Sequence, residues 1–323
     1  MADTLISREL SQALGLEAKD KELLVMLQSI DWRDPASESD RYMFAKEIVR
    51  QAEDLVQLVD PTPLMLNQTS YDPSVTNIKF TDVVGFEAKA VTAGGHKEAI
   101  RVDNEIVSMP IPRRYDHVTI EILKEDLELG TYGSIAGLRE GIADALLRKK
   151  INAVWAACND AITSADLTGQ STGNDNYISL PGGALTEDAV DYAIDKMDAE
   201  GGGVYSILGH PSKLNPISKF ATFQSIMPER LKLDYWRTGF IGLYRGANLV
   251  KIPAVVDKKY NIAPTDAYSV FVLGAGLGEI AQIRGMTAST WDDPARDVQF
   301  ISAQHKYVVL TWQPKGGFRI RLF

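Results

Sequence analysis

Three glycines close behind an apolar run, Gly274, Gly276 and Gly278 in "AYSVFVLGAGLGEI", are the residues whose spacing most invites a chemical reading. A strand feeding a glycine loop cradles phosphate when the loop reads G-x-G-x-x-G and opens a helix whose N-terminus receives the pyrophosphate. Here the spacing is G-x-G-x-G, and "EIAQIRGM" is too short for the helix and is soon broken by Gly285. Asp292 and Asp293 stand near the place of a ribose-binding acid, but in the turn-like "WDDPARD". The roughly 30 residues that remain do not complete a sheet of βαβ units. The expected reading is a glycine-rich turn, with a nucleotide-binding enzyme as the alternative from another class.

Other chemistry finds less support. His96, His117, His210 and His305 are the four histidines, and no two lie within helix or hairpin reach of each other, so no metal site is expected. His210, in "GHPSKLNP", reads as a turn residue. No G-x-S-x-G elbow occurs, and the carboxylates show no local pairing beyond solvated helix faces. The one cysteine, Cys158, falls in the apolar stripe of a helix, where packing is the expected role. The segment "PERLKLDYWRTGFIGLYRGANL" interleaves Arg230, Lys232, Trp236, Arg237, Tyr244 and Arg245, as single-strand binders do. Trp, Tyr and Arg are also enriched where subunits meet, and that reading is preferred in an acidic chain. No catalytic residue, cofactor or metal is expected.

The chain has 323 residues, 45% of them hydrophobic and 24% charged, enough for one large or two medium domains. A net charge of −9 argues against wrapping nucleic acid through phosphate neutralisation. A single cysteine allows no intrachain disulfide and suits a reducing cytosol. The start "MADTLISREL" has no secretory pattern, and no membrane contact is expected.

The elements follow from periodicity. Residues 1 to about 60 read as two helices broken near "DWRDPASESD", with Leu23, Leu24, Met26, Leu27 and Ile30 apolar in the first and Phe44, Ile48, Ala52 and Leu55 in the second. Three prolines in "VDPTPLMLNQTSYDP" predict an extended connector. From Thr76 to Leu123 the period is two: Ile78, Phe80, Val84 and Phe86, then Val118, Ile120 and Ile122, alternate with polar or small residues. Two long strands joined by the tip "TAGGHKEAIRVDNE" would form an arm on the order of 35 Å long, more than its own chain can bury. A helix of about 30 residues follows Ser134, its stripe running through Ile135, Leu138, Ile142, Leu146, Leu147, Ile151, Val154, Cys158 and Ile162. "LTEDAVDYAIDKMDAEGGG" predicts a shorter helix capped by Thr186. Short apolar runs then alternate with loops, and the C-terminus is strand-rich, with Phe318, Ile320 and Leu322 on one face and Arg319 and Arg321 on the other.

This order of segments resembles the major capsid protein of tailed double-stranded-DNA phages, an α+β protein of the Hong Kong 97-like fold. The resemblance is carried by "HVTIEILKEDLELGTYGSIAGLREGIADALLRKKINAVWAACNDA", "ILGHPSKLNPISKF", "GFIGLYRGANLVKIPAVVD" and "YSVFVLGAGLGEIAQIRGMTAS", and it covers about residues 73 to 323. It implies an N-terminal arm (1–72), an extended two-stranded loop (73–122), a peripheral domain with the spine helix (123–170), an axial domain (171–284) and peripheral return strands (285–323). It further implies a non-enzymatic subunit that assembles into hexamers and pentamers of an icosahedral head, in the virion after assembly in the host cytoplasm. Packaged DNA would be confined without specific binding. A separate scaffolding protein, a portal and a decoration protein are the implied partners. Gly94, Gly95, Lys97, Arg113, Arg114, Trp236, Arg237, Tyr244 and Arg245 are the candidate intersubunit contacts.

Two departures qualify the likeness. Some members weld a loop lysine to a neighbour's asparagine with a glutamate assisting. Lys97 stands near the loop tip, but "DVQFISAQHK", where the partners would fall, has neither Asn nor Glu, so no welding is expected. Some members begin with a removable scaffolding segment, for which the loop starts too soon after Met1. An encapsulin-like cargo compartment of the same fold is the runner-up.

Overall fold

Apolar spacing and turn chemistry set the first elements. In the computed structural model, residues 16–75, 77–84, 103–110, 116–128, 135–162, 176–199, 203–220, 242–252, 268–274, 276–311 and 316–322 are described. Helix α1 (Leu16–Ser29) buries Leu23 and Leu27, one turn apart, and leaves Leu24 exposed. It is stopped by a polar corner: the Asp31 carboxylate accepts from the amides of Arg33 and Asp34, and that of Asp34 from Ala36, ahead of a 3-10 turn at Pro35–Ser37. Helix α2 (Glu38–Val59) then buries Phe44, Ala45, Ile48, Val49, Ala52, Leu55 and Val56, a stripe of 3.6-residue period. The expected break between two helices is where the sequence places it. Asp60 and Pro61 end α2, and the single turn α3 (Thr62–Met65) leads into β1 (Asn67–Ser70).

The segment from Thr76 to Leu123 departs from expectation. Its described residues form three strands, β2 (Asn77–Val84), β3 (Asp103–Pro110) and β4 (Asp116–Leu123). β2 and β3 pair antiparallel as a sheet of their own, from Asn77 opposite Pro110 to Val84 opposite Asp103. β4, which the alternation of Val118, Ile120 and Ile122 had suggested as the ribbon's returning strand, belongs to a different sheet. The register of β3 against β2 reaches Pro110, which lacks the amide hydrogen a ladder needs, and β4 finds another partner.

That partner is a long hairpin. After α4 (Lys124–Glu128), the spine helix α5 (Ile135–Ala161), β5 (Tyr177–Leu180), α6 (Glu187–Ala199), β6 (Ser206–Gly209), α7 (Pro211–Leu214), β7 (Leu243–Tyr244), β8 (Ala247–Lys251) and β9 (Ser269–Leu273), the chain forms β10 (Gly278–Asp293), β11 (Val298–Thr311) and β12 (Gly317–Leu322). One sheet has the order β1-β10-β11-β4, with β1 parallel to β10 and the other pairs antiparallel. On β4, Val118, Ile120 and Ile122 pack into the core while His117, Thr119, Glu121 and Leu123 are exposed, the alternation of a half-buried strand.

The spine helix has 27 residues, about 40 Å at 1.5 Å per residue, close to the length expected. Helices α2 and α5 pack against each other, α2 against β10 and α5 against β11 and β4, so the two helices cover one face of this sheet. Burial of Leu138, Ile142, Leu146, Ile151, Val154 and Cys158 matches the expected stripe. Trp155 joins the same core, meeting Phe271 of β9 edge to face at 4.8 Å.

The second sheet has the order β5-β12-β9-β6-β8-β7. Its central strands are buried on both faces. Val270 and Val272 of β9 join Phe318, Ile320 and Leu322 of β12 in a core closed by Val190, Ala193, Ile194 and Met197 of α6. Phe271 and Leu273 face the opposite way, into the core built on the spine helix. Phe318, Ile320 and Leu322 share a face as expected, and Arg319 lies on the other, its guanidinium over the Phe271 ring at 5.5 Å. β12 thus sits beside β5 and β9, away from β10 and β11.

Candidate functional site

The glycine turn was the first candidate, and its geometry removes the nucleotide reading. After β9 and a turn at Gly276 and Leu277 the chain enters β10, so a strand follows where a phosphate-binding helix would have to begin. The glycines serve backbone packing. A Cβ on Gly278 would lie 2.1 Å from the Leu310 carbonyl oxygen, and one on Gly274 would lie 2.7 Å from that of Gly203. The Gly274 amide donates to the Gly316 carbonyl at 2.8 Å, tying the turn to the strand β12 that follows Gly316. These contacts bring backbone against backbone where any side chain would force the strands apart.

Of the candidate intersubunit residues, Tyr244 and Arg245 are described; Gly94, Gly95, Lys97, Arg113, Arg114, Trp236 and Arg237 lie outside the described residues. Arg245 and Gly246 form the two-residue turn between β7 and β8, both with positive φ, 47° and 87°. Tyr244 is 2% exposed: its ring meets Phe220 edge to face and its hydroxyl donates to Asp191 of α6 at 2.8 Å. Desolvation and that carboxylate push the Tyr244 phenol well above its ordinary value. The Arg245 guanidinium spans Asp191 and Asp195 at 3.1 and 3.0 Å and remains partly exposed. Tyr244 is thus committed within its own chain, and Arg245 carries the accessible charge of the pair.

Among the described residues the histidines do not gather; His96 lies outside them. His210 occupies the turn expected of it and caps α7, its ring nitrogen accepting from the Ser212 amide. His117 is exposed on β4, and His305 is buried on β11. No group of three metal-ligating side chains occurs among the described residues. Cys158 is fully buried, and burial alone pushes its thiol up to about 12, which keeps it protonated and inert.

Sequence reasoning missed a buried polar cluster where the end of α2, the spine helix and the first sheet meet. Lys150 of α5 points its ammonium at Asp60, with Nζ to Oδ2 at 2.5 Å and side chains only 3% and 7% exposed. Lys150 also donates to Gln68 of β1 at 3.2 Å, and the second Asp60 oxygen accepts from the Thr62 amide at 2.9 Å, starting α3. Beside them the Tyr307 hydroxyl donates to Asp116 at 2.6 Å, and the His305 ring lies 5.1 Å from that of Tyr307. Desolvation, and then the Lys150 charge, lower the His305 pKa to about 4, so the ring is neutral. One signal was legible: Lys150 falls between Leu147 and Val154 on the apolar side of a helix, where a lysine needs a partner.

A second set of ion pairs clamps the end of the long hairpin. Asp292 takes Lys124 at 3.2 Å and Arg41 at 3.8 Å, both cations nearly buried, and Arg33 reaches Asp297 at 3.2 Å. Arg41 also donates to the Trp32 and Asp34 carbonyls, so the corner between α1 and α2 is fastened to the hairpin tip.

The β2–β3 ribbon differs from every other strand pair. Each strand ladders with the other, and among the described elements none packs extensively against either. An isolated two-stranded hairpin is at best marginally stable in water, so the ribbon requires a surface that its own described elements do not provide.

No family model matches this sequence, and no curated protein matches it significantly. Solved structures do match the fold. The chain is similar to a structure of Gordonia phage Cozz, with 13% identity, a TM-score of 0.56 and coverage of 82% of this chain and 86% of that one. Similarity of the same order links it to the mature capsid of bacteriophage PhiM1, at 13% identity, TM-score 0.54 and coverage of 79% and 84%. The head structure of Helicobacter pylori bacteriophage KHP40 matches at 12% identity and TM-score 0.54, covering 79% of this chain and 87% of that one.

Proposed function

This chain has the Hong Kong 97-like fold, and we infer from it that the protein is the structural subunit of an icosahedral phage head. The observation that carries the reading is the ribbon β2–β3, which among the described residues pairs only with itself on a fold whose two main cores lie elsewhere. Laid on a second copy, the ribbon gains the burial it lacks at home, and heterologous contacts that close under rotation produce rings and then shells. Hexamers and pentamers enclosing double-stranded DNA are the proposed assembly, with copies in contact through the loop-tip residues Gly94, Gly95 and Lys97, and through Arg113, Arg114, Trp236, Arg237 and Arg245. The proposed subdivision is an arm, an extended loop, a peripheral part built on α5 and β10–β11, and an axial part built on the six-stranded sheet.

The subunit's role is mechanical, without enzymatic activity. An acidic chain, net −9, confines DNA more readily than it binds it. Assembly uses a separate scaffolding protein, and a portal and decoration protein complete the particle, which is built in the host cytoplasm. Electron microscopy of the purified chain, with and without a co-expressed scaffold, tests the reading. Closed shells support it; a monodisperse monomer under both conditions overturns it.

A further inference from the structure

We propose that Lys150 and Asp60 condense within the folded chain into an intramolecular isopeptide bond, a staple between the end of α2 and the spine helix α5. The inference rests on the atoms around this pair and is independent of the capsid reading. Both side chains are more than nine-tenths buried and in direct contact, Nζ to Oδ2 at 2.5 Å. An ion pair so far from water bears a desolvation cost that its mutual attraction only partly repays. Transfer of one proton from the ammonium to Oδ2 leaves a neutral amine against a carboxylic acid, the two species that form an amide.

The two Asp60 oxygens are already differentiated for that reaction. Oδ1 accepts the Thr62 amide hydrogen at 2.9 Å, a fixed backbone donor on the oxygen that becomes negative when the amine adds to Cγ. Oδ2 faces the lysine and is the oxygen that leaves. As the C–N bond forms, a second proton passes from nitrogen to Oδ2, the C–Oδ2 bond breaks and one water departs. Neutral His305, whose ring feels the charges of both Lys150 and Asp60, adds no further charge to the pair. No oxidant or cofactor is needed.

The product keeps the hydrogen bonds of the reactants. The new amide carbonyl, formerly Oδ1, retains the Thr62 donor, and the remaining N–H on Lys150 Nζ has its acceptor in Gln68 Oε1, now at 3.2 Å. Gln68 is itself held by a bond from its amide nitrogen to Gln282 of β10. Two buried charges are thus exchanged for one satisfied amide, and residues 90 apart in sequence become covalently joined.

The test is the intact mass of the purified, denatured full-length chain, followed by digestion. The expected result is a chain lighter by one water, with a branched peptide joining Asp60 to Lys150. Lys150→Arg and Asp60→Ala should each restore the full mass. A wild-type chain at its full sequence mass overturns the proposal whether or not the variants fold. So does a water lost at any other site, or a deficit that persists in either variant. A boiled denaturing gel separates this bond from one between subunits, since an intrachain staple leaves the band at monomer size.

Discussion

At the scale of single residues, burial decides which groups are chemically available. His305 is a base held neutral inside the fold, with its pKa lowered to about 4 from an ordinary 6.5, chiefly by desolvation. Between those values the unfolded chain takes up a proton that the folded chain refuses, so stability falls as pH drops from about 6.5 towards 4, then levels off below. The loss is on the order of 3 kcal/mol by the linkage of 1.36 kcal/mol per pKa unit. Urea melts of the wild type and His305→Gln across pH 7 to 4 should show the wild type losing stability more steeply; parallel curves would contradict the assignment. Cys158 follows the same logic. Its raised pKa and full burial predict no reaction with a thiol reagent in the native state and complete labelling after denaturation. Gly278 has a steric role instead. Gly278→Ala should destabilise the chain by about 3 kcal/mol or more in chemical denaturation, because its Cβ would meet the Leu310 carbonyl head-on.

Among the elements, the ribbon and the spine helix stand at opposite extremes. Helix α5 is packed by α2, β4 and β11, while among the described elements β2 and β3 pack extensively only against each other. Replacing residues 77–110 by a short linker should therefore shift the denaturation midpoint little, by less than about 1 kcal/mol of stability, while abolishing shell formation seen by electron microscopy. Equal loss of fold and of assembly would mean that the ribbon stabilises its own chain. The elements also show what periodicity conveys and where it misleads. The stripes of α2 and α5 were legible because a helix with one buried face writes that face into every third or fourth position. The alternation of Val118, Ile120 and Ile122 was equally clear, but a period of two specifies a half-buried strand without naming its partner. β4 was therefore read into the ribbon, although it pairs with β11, some 180 residues away in sequence by register partners such as Ile120 and Ile301.

Taken as a whole molecule, two cores share one six-stranded sheet: its central strand β9 sends Val270 and Val272 to one and Phe271 and Leu273 to the other. That sharing ties the two cores to each other, and the ribbon is left as the one extension without extensive packing among the described elements. Because "DVQFISAQHK" supplies neither Asn nor Glu to a loop lysine, boiled denaturing gels of assembled shells should show monomers and no ladder of multimers. A ladder would reveal a weld between copies that uses other residues.

What the sequence determined by itself was local: helix stripes, the break at "DWRDPASESD", the two-residue period of the strands, the packing role of Cys158 and a glycine turn unsuited to phosphate. Each depends on neighbours within a turn or two of chain, which short-range spacing records. The tertiary structure alone decided which strands pair, that β12 lies beside β5 and β9, and that Lys150 meets Asp60 beside His305 and Asp116. Such encounters join segments tens to hundreds of residues apart, and only the packing of the whole chain selects them, by leaving a buried charge one place in which it is satisfied.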